Sequence, residues 1–135
     1  MKRAAALAAA VWIWCAAAPA AQAAGVPLNA CEEAALAQFC AVEAAGEPYV
    51  CRLSVAAAML NRLADARYPD TVSGILAEAG GVRGRVSRDA YRRALSAVQA
   101  AEIGMDPTNG ALRWAHTGKG RFTVYFSAGT MEFGD

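Results

Sequence analysis

The chain has 135 residues, 56% hydrophobic and 19% charged, which is enough for one domain with a buried core and excludes a disordered chain. Its formal net charge of +1 argues against a nucleic-acid-binding domain, because such domains carry a strong basic excess. The single histidine, His116, excludes any metal site that needs two imidazole ligands.

The first residues have the features of a secretory signal peptide. Lys2 and Arg3 precede an uncharged stretch at residues 4–18, and small residues flank Gln22. A basic start, an apolar middle shorter than the about 20 residues of a membrane span, and a small-x-small site are typical of a cleaved leader. We therefore expect a signal peptide at residues 1–23, a domain at residues 24–135, and a periplasmic or extracellular location without membrane attachment after cleavage.

The domain is predicted to begin with two helices joined by a short loop. Asn29 and Glu32 form a capping-box pattern, which predicts a helix that runs to about Ala45. Pro48 suits the first position of a second helix. The apolar face of this second helix is expected to contain Leu53, Ala56, Ala57, Leu60 and Leu63.

Three cysteines follow the leader, at positions 31, 40 and 51, in a compartment where disulfides persist. Their spacing fits no zinc or redox motif, and their odd number leaves at least one without a partner in the chain. In the helical hairpin, Cys40 and Cys51 lie at comparable distances from the loop, whereas Cys31 lies more than two turns further away. A disulfide between Cys40 and Cys51 is therefore predicted.

Two more helices and a small sheet complete the predicted fold. Asp70 is expected to cap a short helix through Leu76, and Ser87 a longer helix that ends at Gly104. The pattern then changes to strands at residues 111–116 and 122–127, with a short third strand at 131–133. Helices followed by an antiparallel sheet make an α+β fold.

Glu43 is the most informative polar residue of the first helix. At about 100° per residue it falls within about 20° of Leu36 on the helical wheel, so its carboxylate projects from the apolar stripe. An ionised carboxylate there is costly unless it is hydrogen-bonded or faces a cleft, and partial burial favours the protonated acid. Glu43 is therefore a candidate general acid; the alternative is that fraying of the last turn exposes it to water.

Four segments carry a family resemblance: EAAGEPY (43–49), VAAAMLNR (55–62), YPDTV (68–72) and DPTNGAL (106–112). Together they resemble the spore-cortex-lytic (SleB-type) cell wall hydrolases over almost the whole mature chain. The resemblance implies a lysozyme-like α+β fold and a peptidoglycan-degrading enzyme that cleaves the glycan strand, commonly as a lytic transglycosylase. It also places the family's catalytic glutamate on Glu43.

A lytic transglycosylase needs one acid, since the 6-hydroxyl of the substrate's own muramic acid is the nucleophile, so no metal or cofactor is required. Glu47 is less suited to a second catalytic role, because Pro48 disfavours a helical conformation at this position. Trp114 is a candidate for stacking on a sugar ring, with packing within the sheet as the equal alternative. The expected partner is the glycan strand of peptidoglycan, and the oligomeric state is left open.

Two other functions compete with glycan cleavage. Cys51, in the first turn of a helix, with His116 as its base, would suit a cysteine peptidase or amidase that acts on the stem peptides. Residues 77–83, 113–116 and 129–133 depart from the family pattern, which would suit a degenerate protein that binds peptidoglycan without cutting it.

Overall fold

The computed structural model describes residues 27–135, so the predicted signal peptide at residues 1–23 lies outside the described residues. Four helices come first in the chain: α1 (Ala30–Glu43), α2 (Tyr49–Ala64), α3 (Val72–Glu78) and α4 (Arg88–Glu102). Three strands follow: β1 (Arg113–His116), β2 (Val124–Ala128) and β3 (Met131–Gly134). This order confirms the predicted α+β architecture. None of the helices within the described range is long and apolar enough to cross a bilayer.

The start of α1 is the capping box that the sequence predicts. The Asn29 side chain accepts a hydrogen bond from the Glu32 amide at 2.9 Å, and the Glu32 carboxylate accepts one from the Asn29 amide at 2.9 Å. Two of the free amides at the helix start are thereby paired. The helix ends at Glu43, two residues before the predicted end. This places Glu43 in the last turn, directly before the loop at Gly46.

Helix α2 forms the centre of the domain and packs against α1, α3, α4 and β1. Pro48 is its N-cap residue, so the helix begins one residue later than predicted. Of its predicted apolar face all but Leu63 is buried, and the remaining sides are buried too, from Cys51 to Asn61. A helix buried on all sides is typical of the centre of a core, and the three alanines at positions 56–58 allow neighbouring helices to approach closely.

The caps of the next two helices lie close to their predicted positions. Thr71, one residue after the predicted Asp70, caps α3 by accepting from the Gly74 amide at 3.1 Å. Ser87 caps α4 as predicted, by accepting from the Ala90 amide at 3.1 Å. Helix α4 turns its alanine-rich face, with Val98 at its centre, towards α1 and α2.

The sheet has the order β1-β3-β2, with both pairs antiparallel. The short strand predicted last along the chain is therefore the central one, and its Met131 and Phe133 side chains are buried in the core. Trp114 on β1 lies opposite Phe133 in the register. Because β1 pairs only with β3, it is an edge strand of the sheet.

A hydrogen-bonded turn connects α4 to β1 and determines where β1 lies. Asp106 accepts from the Thr108 amide at 2.8 Å and from the Gly110 amide at 2.9 Å. Asn61 of α2 donates to Asp106 at 2.9 Å and to the Ala111 carbonyl at 3.1 Å. These bonds anchor the start of the sheet to the central helix, and thereby place Trp114 next to the end of α1.

Candidate active site

Glu43 is half-buried at the end of α1, and its carboxylate has a specific partner. The Trp114 indole nitrogen, Nε1, donates a hydrogen bond to Oε2 of Glu43 at 3.0 Å. The indole provides only one N–H, so the second carboxylate oxygen, Oε1, receives nothing from it. The carboxylate predicted to project from the apolar stripe thus lies beside Phe39 and Val42, hydrogen-bonded on one oxygen.

Two adjoining cavities lie beside Glu43. The smaller, of about 120 Å³, is lined by Glu43 together with Phe39, Ala79 and the glycines that follow α3. The larger is a groove of about 530 Å³, lined by Trp114 and by residues of α2, the end of α3, and the segment between β1 and β2. Ala79 lines both, and Trp114 joins the groove to the carboxylate. Glu43 therefore faces a cleft and not open water.

Trp114 is held between helices and does not stand free in the groove. The Arg62 guanidinium carbon lies 4.6 Å from the ring centroid of Trp114, and Phe39 meets the indole edge-on with centroids 6.0 Å apart. The sugar-stacking role expected for Trp114 stays a prediction, because the ring also lines the groove. Its hydrogen bond to Glu43 is a role that the sequence did not indicate.

Arg62 connects the end of α2 to the aromatic part of the site. Its guanidinium lies between the rings of Trp114 and Tyr68, and its carbon is 4.9 Å from the ring centroid of Tyr68. Its Nε donates a hydrogen bond to the Leu112 carbonyl at 2.7 Å. Burial lowers the pKa of Arg62, while electrostatic interactions with Tyr68, and to a smaller extent with Glu78 and Glu43, oppose this shift. The stacking of Arg62 on these two rings is evident only in the fold.

Glu47 lines neither of the two cavities beside Glu43. It accepts hydrogen bonds from the amide of Thr130 at 3.0 Å and from the Thr130 hydroxyl, so it joins the α1–α2 loop to the β2–β3 turn. These bonds, with a smaller contribution from His116, lower the pKa of Glu47. Its carboxylate is thus engaged in a structural contact between these two connections.

The disulfide predicted between Cys40 and Cys51 is absent from the structure, where both are buried free thiols. The reason is the direction of Cys51, whose Sγ donates to the Ala128 carbonyl at 3.2 Å, towards the sheet. Burial, and next the charge of Glu47, raise the pKa of the Cys51 thiol, and burial also raises that of Cys40. A raised pKa is the opposite of what a thiolate nucleophile needs.

His116 does not form the dyad with Cys51 that a cysteine peptidase would require. It lies exposed at the end of β1, and its Nδ1 is 3.5 Å from the Thr130 hydroxyl. The hydrogen-bond partners of the Cys51 thiol are Ala128 and Glu47 instead.

Between residues 27 and 135, no group of three His, Cys, Asp or Glu side chains is arranged to hold a metal ion.

A helical layer that presents a half-buried glutamate to a groove beside a small antiparallel sheet defines the class of the domain, a lysozyme-like α+β fold. No family model matches the chain. Two solved structures share its fold. One is the catalytic domain of the Bacillus cereus SleB protein, with a TM-score of 0.68 and 24% identity. The alignment includes 87% of this chain and the whole of that domain. The other is a catalytic domain from Bacillus anthracis, described as a germination-specific lytic transglycosylase, with a TM-score of 0.67 and 26% identity. This alignment includes 82% of this chain and the whole of that domain.

Curated relatives agree with the structural match. A spore cortex-lytic enzyme of Halalkalibacterium halodurans is 36% identical over 103 residues, which are 73% of this chain and 28% of that protein. One from Oceanobacillus iheyensis is 42% identical over 74 residues, which are 52% of this chain and 27% of that protein. The chain thus spans about a quarter of the length of these relatives. Together, the curated relatives and the solved structures support a SleB-type family, as the motifs predicted.

Proposed function

We propose that this protein is an exported peptidoglycan-degrading enzyme that cleaves the glycan strand as a lytic transglycosylase, with Glu43 as its general acid and base. Export rests on the leader-like pattern at residues 1–23. The reaction class rests on similarity to a domain described as a lytic transglycosylase. The observation that carries the site assignment is the position of Glu43, half-buried at a groove and held on one oxygen by Trp114.

The hydrogen bond divides the work between the two oxygens of Glu43. With Oε2 bound to the indole, Oε1 carries the proton and is the oxygen that can meet a glycosidic bond. Its proton moves to the glycosidic oxygen as the bond to the muramic acid C1 breaks, leaving an oxocarbenium-like sugar and a carboxylate. The same carboxylate then accepts the proton of the muramic acid 6-hydroxyl while that oxygen bonds to C1. The product is a 1,6-anhydro end, and Glu43 regains its proton.

The positions of the carboxylates favour the transglycosylase mechanism over ordinary hydrolysis. Glycosidases commonly place two carboxylates across the scissile bond. Glu47 is hydrogen-bonded to Thr130 and lines neither cavity beside Glu43, and the cavity around Glu43 has no second acid among its lining residues. Glu78 lines the adjoining groove and is the acid to test as a hydrolytic base. A mechanism in which the substrate supplies the nucleophile needs only Glu43.

The aromatic stack supports this function by positioning the indole donor. Arg62 is anchored to the Leu112 carbonyl and covers one face of Trp114, while Phe39 contacts its edge. With neighbours on two sides, the indole has little freedom to rotate away from Glu43. A positioned donor of this kind contributes to catalysis because no reorganisation is needed when charge develops on the carboxylate.

The deciding experiment is digestion of purified sacculi, with the released fragments identified by mass spectrometry. We expect 1,6-anhydromuramyl ends from the unchanged protein. Glu43→Gln should reduce release at least about a hundredfold, because general acid catalysis is worth roughly 10²–10⁴ in rate. Glu33→Gln is the matched control: it makes the same chemical change in the same helix, in its first turn.

The products separate the competing mechanisms. Reducing ends that disappear in Glu78→Gln would identify a hydrolase with Glu78 as its base and would contradict the transglycosylase proposal. Normal cleavage by a folded Glu43→Gln protein would remove Glu43 from the mechanism. Sacculus binding without release by the unchanged protein would support the non-enzymatic alternative.

A further inference from the structure

The groove beside Glu43 carries a concentration of positive charge that the cleavage chemistry does not use. We call it the basic groove; its charged lining residues are Arg62, Arg113, Lys119, Arg121 and Glu78. Four cations thus face one acid, although the whole chain has a formal net charge of only +1. Charge gathered in a concave site attracts ligands of the opposite sign more strongly than the same charge spread over a surface.

Most of this charge is not neutralised within the protein. Over residues 27–135, neither Lys119 nor Arg121 forms a salt bridge. Arg113 has a single long contact, 4.0 Å from Nε to Asp135, and its side chain is 52% exposed. Arg62 is the exception, since it is committed to Trp114 and the Leu112 carbonyl. Three cations are therefore free to meet an anionic ligand.

The position of the basic groove relates this ligand to the reacting bond. Trp114 lines the groove and touches Glu43 through its indole nitrogen, and Ala79 lines both the groove and the cavity of Glu43. A polymer bound with one glycosidic bond at Glu43 would extend into the groove with its next units. The groove is thus placed to recognise a substituent near the cleavage point.

We infer that the basic groove is a carboxylate-binding subsite, which makes this protein selective for glycan strands that carry acidic groups. The inference rests on the proposed function, because it takes peptidoglycan as the polymer. Arg113 and Arg121 can each bind a carboxylate with two parallel hydrogen bonds, and Lys119 adds a point charge. In peptidoglycan the carboxylate has two sources: the stem peptide, or the lactyl group of muramic acid where the peptide has been removed.

The test is calorimetric binding in a Glu43→Gln background, where cleavage does not interfere. Three glycans of equal length serve as ligands: strands with stem peptides, strands freed of peptides by an amidase, and chitin oligomers, which have no carboxylate. The groove variant is Lys119→Glu/Arg121→Glu. Arg88→Glu/Arg92→Glu makes the same charge change on exposed residues of α4, outside the groove lining.

We expect the groove variant to weaken binding of a carboxylate-bearing strand about tenfold at low salt, with a smaller effect at high salt, and to leave chitin binding unchanged. An effect confined to peptide-bearing strands identifies the stem peptide as the source, and one confined to peptide-free strands identifies the lactyl group. An effect on both means that either carboxylate is accepted.

Equal binding of all three glycans by parent and groove variant would overturn the inference, as would an equal loss in the α4 control or no detectable binding by the parent. Failure of the proposed function has a different signature: the protein with Glu43 intact would release nothing from sacculi, while carboxylate-dependent binding persisted. The two ideas can therefore fail separately.

Discussion

Replacing Trp114 with phenylalanine tests the core of the proposed mechanism. The change removes the indole N–H that donates to Glu43 at 3.0 Å and keeps an aromatic ring between Arg62 and Phe39. If the indole only packs, activity should hardly change. If it orients the carboxylate, the rate of bond cleavage should fall.

The expected magnitude follows from the worth of one hydrogen bond to a half-buried charged group, which is about 1–2 kcal/mol when the site is partly open to solvent. Since about 1.4 kcal/mol corresponds to a factor of ten in rate, kcat should fall roughly fivefold to thirtyfold. KM should change little, because the ring that lines the groove is retained. Trp114→Ala, which also removes the ring, should raise KM if the indole stacks on a sugar.

The assay measures release of soluble fragments from size-selected glycan strands over a range of concentrations, which separates kcat from KM. Thermal unfolding of each variant serves as the control for folding. A Trp114→Phe protein that is folded and has the kcat of the unchanged protein would refute the positioning role. A raised KM with an unchanged kcat would assign Trp114 to substrate binding instead.

Three further predictions concern Glu47 in the α1–α2 loop and Cys51 at the start of α2. Hydrogen bonds from Thr130 lower the pKa of Glu47 below its ordinary value of 4.5. The ionised carboxylate therefore stabilises the fold above pH 4.5, and this contribution is lost as the pH falls through the lowered pKa. Glu47→Gln should flatten this acid dependence of the melting temperature, and an unchanged pH profile would contradict the contact. The buried thiol of Cys51 should react with alkylating agents only after unfolding, whereas exposed Cys31 reacts at once. Cys51→Ala should retain glycan cleavage, and its loss would revive the cysteine mechanism.

The helices were predictable from sequence because their signals are local. The Asn29–Glu32 capping box and the Ser87 cap are decided within three residues, and both occur in the structure as predicted. The sheet order was not predictable to the same degree. The position of β3 between β1 and β2 depends on pairing between segments far apart in the chain, which periodicity does not report.

The disulfide prediction was wrong for a related reason, because it also depended on a contact between segments far apart in the chain. Sequence distance from the loop placed Cys40 and Cys51 as plausible partners, but it contains no information about side-chain direction. In the fold, the end of β2 and the turn after it lie against the start of α2, and the Cys51 thiol donates to the Ala128 carbonyl there, 77 residues away along the chain. An argument from the two helices alone cannot predict a hydrogen-bond partner that belongs to a strand much later in the chain.

The candidate site combines both kinds of information, and this explains why only part of it was predicted. Glu43 stood out because a carboxylate in an apolar stripe violates a local pattern, and such a conflict needs a compensating partner. The partner, Trp114, lies 71 residues later and is brought to Glu43 by the anchored turn before β1. Lys119 and Arg121 violate no pattern in their glycine-containing connection. Their importance arises only when the fold places them in one groove beside Glu43, so charge in such a connection is recognisable as functional only from the three-dimensional arrangement.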